Sequence, residues 1–378
     1  MYSCVISDIL ESFAGVEETF IMGDVAFGAC CVDDYSAKAL AADFLVHYGH
    51  SCLVPVSHTS IPCMYVFVDI KMDIEHFVGC VQATIPRGQR LILAGTIQFA
   101  ASTQVARAQL LAHYPHITVP QSRPLSPGEV LGCTAPVVPG QHDAIVFVAD
   151  GRFHLEALMI ANPGVRAYRY DPYGRILTEE EYDQEGMRGA RRGAVEGAMG
   201  AQVWGVVLGT LGRQGNPKIL ERLEEILARR KKKWVTVLLS EISPSKLTAL
   251  SSFSSGGGGT DSGAGGNTDS TTTTSTTNNK IEAWVQIACP RLSIDWGDEF
   301  KVPTLNPYEA FVALGEVPGW WEPGSNDYPM DYYSMDGGAY NSSYHKAGPS
   351  SRRQTSGGAG VGSSRERIAA MLAAAKVK

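Results

Sequence analysis

The feature that most constrains the fold is a phrase the chain uses twice: a short apolar run, a helix, then a second apolar run. Residues 91–99 (LILAGTIQF) are short, largely apolar and read as a buried strand; 103–114 read as a helix and 116–119 as a strand. The phrase returns at 203–208, 217–230 and 234–239. A Gly-Thr pair marks both openings, Gly95-Thr96 inside the first run and Gly209-Thr210 directly after the second. Strands apolar on both faces, alternating with helices, require parallel sheets covered on both sides. The recurrence predicts duplicated units of roughly a hundred residues.

The start of the chain follows the same grammar, with a helix over 5–13, a strand over 19–22, a helix over 35–42 and a strand over 44–47. Residues 179–200 read as a long polar helix, with Thr178 and Glu181 at capping-box spacing. The expected architecture is therefore α/β: three similar Rossmann-like parallel-sheet domains in one chain, at 1–90, 91–200 and 201–321. Two stretches cannot bury a core. Residues 254–279 hold Gly, Ser, Thr, Asn and Asp with Ala264 as the one apolar residue, and are expected to be a disordered insertion in the third domain. Residues 322–378 lack periodicity and are expected to be a disordered low-complexity tail, closing on a helical scrap at 365–376.

Charge and cysteine usage narrow the function. A net charge of −7 gives no footprint for nucleic acid or an anionic membrane. The basic run Arg229 to Lys233 ends a predicted helix, where it complements the helix dipole and stays solvated. No apolar stretch approaches the roughly 20 residues of a membrane span, and the N-terminus has no basic leader, so a cytoplasmic protein is expected. The 8 cysteines are scattered. In a reducing compartment that points to thiols or metal ligands rather than disulfides.

Position singles out three of them. Cys30 follows the loop 23–29, Cys133 lies in the loop after Gly128, and Cys289 ends the strand 283–288. Each unit thus offers one cysteine near a strand end, where open parallel sheets place their ligands. Zinc favours four ligands from paired knuckles, and the chain has no Cys-x-x-Cys. A tripod of thiolates suits an iron–sulfur cube with one iron open to substrate. For each cysteine taken singly, a buried small hydrophobe is the competing reading. The Gly-rich turn 209–215, between a strand and a helix, suits an anion but lacks the dinucleotide fingerprint. His47 and His50 flank a strand end, where a substrate role competes with plain hydrogen bonding.

Several long runs carry a family resemblance. Residues 23–56 (GDVAFGACCVDDYSAKALAADFLVHYGHSCLVPV), 123–136 (RPLSPGEVLGCTAP), 147–163 (FVADGRFHLEALMIANP), 208–227 and 284–297 (WVQIACPRLSIDWG) closely resemble the subunit 1 family of 2-(3-amino-3-carboxypropyl)histidine synthase. The resemblance covers about residues 1–318 apart from the insertion. It implies three α/β domains that each give one cysteine, here Cys30, Cys133 and Cys289, to a 4Fe-4S cluster. It also implies a radical enzyme that uses S-adenosylmethionine as cosubstrate without the usual Cys-x3-Cys-x2-Cys motif. In that chemistry a 3-amino-3-carboxypropyl radical adds to C2 of a histidine imidazole in translation elongation factor 2, the first step of diphthamide biosynthesis, leaving methylthioadenosine. Arg291 and Asp295, just beyond the third cysteine, are candidates for the methionyl carboxylate and ammonium, with a structural ion pair as the competing reading. The implied partners are a homologous second subunit in a heterodimer, a small electron-donor protein and the elongation factor. Domain one is expected to lack the family's first strand. A quinolinate-synthase-like 4Fe-4S dehydratase and a noncatalytic partner subunit are the alternatives.

Overall fold

The computed structural model describes residues 2–23, 31–49, 53–251, 280–325 and 327–342. The first unit comprises α1 (Tyr2–Phe13), α2 (Asp34–Ala39), β1 (Leu45–Gly49) and β2 (Cys63–Phe67), the two strands pairing in parallel. The second runs α3 (Ile74–Thr84), β3 (Leu91–Gly95), α4 (Ala100–Leu110), β4 (Ile117–Thr118), β5 (Ala144–Val148), α5 (Phe153–Ala161), β6 (Arg166–Asp171), β7 (Ile176–Glu180) and α6 (Gln184–Met199). The third runs β8 (Val203–Gly209), α7 (Pro217–Arg229), β9 (Lys233–Leu239), α8 (Pro244–Ser251), β10 (Ala283–Ile287), α9 (Arg291–Trp296), β11 (Thr304–Leu305) and α10 (Pro307–Ala313). The second sheet has the order β4-β3-β5-β6-β7, parallel except for β7, and the third is the all-parallel β11-β10-β8-β9.

Period-two alternation sorts the strands onto two faces. In β3 and β5, Leu91, Leu93, Val146 and Val148 pack under α3 and α4 with Phe77, Val81, Phe99 and Leu110. Ile92, Ala94, Ile145 and Phe147 face the opposite way, into a core that also takes Trp204, Val206 and Leu208 of β8 and Ala283, Val285 and Ile287 of β10. The second and third sheets therefore share one apolar core. On the far face of the third sheet Trp284 lies over Gly205, its partner in register, where any Cβ would overlap the indole. Helix α7 forms for local reasons: Asn216 accepts from Lys218 N at 3.0 Å, Pro217 opens the first turn, and Ile219, Leu220, Leu223, Ile226 and Leu227 line one buried stripe.

Four expectations need correction. Residues 19–22 form no strand: Phe20 and Ile21 are exposed, and Thr19 bonds through N and Oγ1 to Glu11 Oε1. The apolar run 91–99 is strand only to Gly95, and 97–99 is a single 3-10 turn. The polar helix begins later than 179, because Thr178 to Glu180 pair with β6; Thr178 donates to Arg169 O, and Asp183 caps α6 instead. The tail expected from 322 onward is packed through 342. Tyr328, Met330, Tyr332 and Tyr333 are buried in the shared core, an apolar content that the surrounding Gly, Ser and Pro conceal in the composition. The insertion 254–279 and the helix at 365–376 lie outside the described residues.

One buried ion pair braces this core. Arg191 of α6 and Glu309 of α10 are 1% and 0% exposed and meet in a bidentate pair, Nε–Oε1 at 2.7 Å and Nη2–Oε2 at 2.8 Å. Tyr328 donates to Glu309 Oε1 at 2.7 Å, and Glu309 also closes a capping box with Asn306. The remaining carboxylate lone pairs are thus filled, the condition for a buried pair to persist.

Candidate functional site

Chain direction sets where a site can form. After β3 the chain crosses through α4 to one face, and after β5 through α5 to the other, leaving a crevice between their carboxyl ends. The third sheet repeats this: β8 leads to β9 on one side, while β10 lies on the other. Cys133 belongs to the loop that crosses the first crevice, where Glu129 bridges to Gly95 at the end of β3. Cys289 stands two residues beyond β10, at the second. Both thiols are buried, at 3% and 6% exposure.

The two cysteine loops meet on one ring. Gly132 lies against Phe153 so closely that a Cβ there would overlap the ring carbons. The Arg291 guanidinium sits 4.2 Å from the centroid of the same ring. Arg291 donates to Phe153 O at 2.7 Å, to Glu156 Oε2 at 2.6 Å and to Asp295 Oδ1 at 2.8 Å. Phe153 and Glu156 both come from the start of α5, so the segment after Cys289 is bolted to the helix that supports the segment before Cys133. Burial raises the pKa of Asp295 above the ordinary carboxylate value, against the pull of Arg291. Arg291 and Asp295 pair with each other in this structure, so contact with a methionyl group requires an exchange of partners.

Hydrogen bonds also reach the thiol loops. Thr134 Oγ1 donates to Cys133 Sγ at 3.7 Å. Gln286 Nε2 donates to Cys289 O at 3.1 Å and to Ser293 Oγ at 3.0 Å.

Cys30 and His50 lie outside the described residues. The chain resumes at Cys31, which is buried, followed by Val32 and by Asp33, which caps α2 through Ser36 N at 3.1 Å. This segment docks on the third unit. Gly212, with φ of +57°, abuts the Val32 carbonyl, where a side chain would not fit. Arg213 grips the fully buried Asp34 through Nε at 2.8 Å and Nη2 at 2.7 Å, and stacks over Tyr35 at 4.0 Å. Burial alone would raise the Asp34 pKa; bonds from Arg213 and the Ser60 amide outweigh it and hold the carboxyl below its ordinary value. The Gly-rich turn 209–215 is thus a docking loop for the first unit. His47 stands in β1 with its ring edge-on to Tyr65 at 5.5 Å.

Among the described residues no three His, Cys, Asp or Glu side chains converge; Cys30, the third expected ligand, lies outside them. The donor chemistry that is present fits an iron–sulfur group: two buried thiols at strand ends, on loops fixed to a common ring.

The family model described as "Putative diphthamide synthesis protein" matches residues 1–255 and 269–325. The chain belongs to this family. It is 48% identical over 348 residues to the 2-(3-amino-3-carboxypropyl)histidine synthase subunit 1 of Dictyostelium discoideum, covering 90% of this chain and 66% of the relative. The subunit 1 of Gallus gallus is 50% identical over 335 residues, covering 88% and 73%. The chain thus spans 66–73% of the length of these relatives. A crystal structure of Dph2 from Pyrococcus horikoshii, solved with a 4Fe-4S cluster, has the same fold, with a TM-score of 0.62 at 22% identity over 87% of this chain and 89% of that one.

Sequence reasoning passed over Phe153, Glu156, Asp34 and Arg213. Phe153 and Glu156 lie within a quoted run, 147–163, yet nothing in their spacing points across the chain to residue 291.

Proposed function

We propose that this chain is the cluster-bearing subunit that transfers the 3-amino-3-carboxypropyl group of S-adenosylmethionine to C2 of a histidine in translation elongation factor 2. The observation that carries the reading is the meeting of the Cys133 and Cys289 loops on Phe153 at the carboxyl ends of two sheets that share a core. Cys133, Cys289 and Cys30 are the proposed thiolate ligands. When bound, the cluster supplies the electron that opens the sulfur–Cγ bond of S-adenosylmethionine. The protein's work is to hold two thiols at a fixed separation, keep water from them and leave one side open to substrate. Arg291 and Asp295 are the proposed contacts for the methionyl group, Asp295 taking the ammonium while Arg291 stays anchored to α5. A homologous second subunit and a small electron donor complete the proposed system, in the cytoplasm; among the described residues no helix is long and apolar enough to cross a membrane.

The test is product identity. Oxygen-free protein with a reductant, S-adenosylmethionine and elongation factor 2 should release methylthioadenosine and add the aminocarboxypropyl mass to one histidine. Release of 5′-deoxyadenosine instead, or no turnover by reconstituted protein with its second subunit, would sink the proposal.

A further inference from the structure

We infer that residues 327–342 form a strap that positions the Cys133 loop, with Tyr333 as its principal positioning residue; the inference rests on the cluster reading proposed above. The strap runs alongside the cysteine loop and bonds to it at the cysteine and at the two residues that follow. Ala135 N donates to Met330 O at 2.7 Å, Tyr332 N to Cys133 O at 3.3 Å, and Tyr333 N to Thr134 Oγ1 at 3.3 Å. Asp331 forms an antiparallel bridge with Thr134. Farther along, Met335 N donates to Arg123 O at 2.8 Å, reaching the start of the same loop.

The Thr134 hydroxyl is the informative link. It accepts from Tyr333 N and donates to Cys133 Sγ, so the strap's backbone fixes the direction of a proton aimed at the sulfur. Hydrogen bonds to ligand sulfur are among the levers that set cluster potential and retention. The other end of Tyr333 reaches the third unit: its hydroxyl donates to Gln214 O at 2.8 Å. Gln214 follows Gly212 and Arg213, the two residues that hold the segment beginning at Cys31. Asn216 Nδ2 then donates to Ser342 O at 2.8 Å and pins the strap's far end to the cap of α7. One residue therefore links the Cys133 loop, through its backbone N, to the loop that docks the segment beginning at Cys31, through its hydroxyl.

The experiment compares Tyr333→Phe with Tyr340→Phe in the full chain. Tyr340 lies in the same strap and loses an equivalent bond, its hydroxyl donating to Asp331 Oδ1 at 2.8 Å, but does not touch residues 131–135 or 214 through that group. Two readouts are taken: amide hydrogen exchange of residues 128–135 in iron-free protein, and the rate at which an iron chelator bleaches the anaerobically reconstituted protein. Tyr333→Phe should speed both, the bleaching by roughly fivefold for one lost hydrogen bond. Tyr340→Phe should change neither, whatever it does to the thermal midpoint. Unchanged exchange and bleaching in Tyr333→Phe would overturn the strap assignment, and equal changes in both variants would overturn Tyr333 as its principal positioning residue. If the unaltered chain takes up no cluster, the cluster reading fails, and the exchange measurement still decides the strap.

Discussion

Gly132→Ala probes whether the two cysteine loops are coupled through Phe153. The added methyl would occupy space now filled by the edge of the ring, so either the ring or the loop must move. Overpacking of this kind costs about 1–3 kcal/mol. Phe153 is 37% exposed and can swing outward, but doing so pulls it from beneath the Arg291 guanidinium, a contact worth about 0.5–2 kcal/mol. The disturbance should therefore reach both thiols: lower iron content, faster bleaching and a lower thermal midpoint. Phe153→Ala removes the obstacle. In that background Gly132→Ala should cost close to nothing, a coupling of about 1–3 kcal/mol in a double-mutant cycle scored on stability and iron content. Additive effects would show that the cost of Gly132→Ala does not arise at the Phe153 ring, and the coupling of the two loops through it would be refuted.

The remaining predictions concern the frame around the site. Glu309→Gln leaves the Arg191 charge buried and half-paired and should destabilise the chain by about 3–5 kcal/mol, read by heat or urea unfolding. The double substitution Arg191→Met with Glu309→Met should recover most of that loss. Asp34→Asn should free the first unit from the docking loop, costing about 3 kcal/mol and raising exchange at 31–67 before the rest of the chain. Because its folded pKa is depressed, the Asp34 contribution is present above the unfolded value of about 3.9 and is lost as pH falls through the lower folded value; a wild-type chain whose first unit stays docked at that acidity would contradict it. Cys30→Ser should abolish cluster uptake while Cys31→Ser keeps most of it, the family resemblance aligning the ligand with the cysteine directly after Gly28-Ala29; the reverse result would move the ligand one residue along.

The parallel sheets were legible because β3, β5, β8 and β10 are apolar on both faces, a pattern only a doubly covered sheet produces. The position of Cys289 just beyond β10 followed from the same pattern, whereas Cys133 sits within the long loop between β4 and β5. Cross-chain partners were not legible. Arg191 looks like one more charge on a polar helix, and its burial is set by Glu309, far along the sequence. The tyrosines of 328–340 are spaced for neither a helix nor a strand; they are buried because each fills a gap between elements, a property of the assembled fold alone. Residues 19–22 failed for the converse reason, having strand-forming side chains and, among the described residues, no strand beside them to pair with.

The division of labour among the three units has a physical basis. Cys133 and Cys289 stand on sheets whose inner faces form a single core, so their separation is fixed at the packing density of a protein interior. The first unit is built differently. No residue of β1 or β2 is buried, and among the described residues Leu53 is its one contribution to the shared core. Among the described residues its contacts with the third unit include the Arg213–Asp34 pair, the stacked Tyr35 and the close fit of Gly212, beside a few buried apolar residues such as Val32 and Val54. Such contacts open at lower cost than a core does. The first unit should then come away at Asp34 and Arg213 while the second and third sheets keep their shared core.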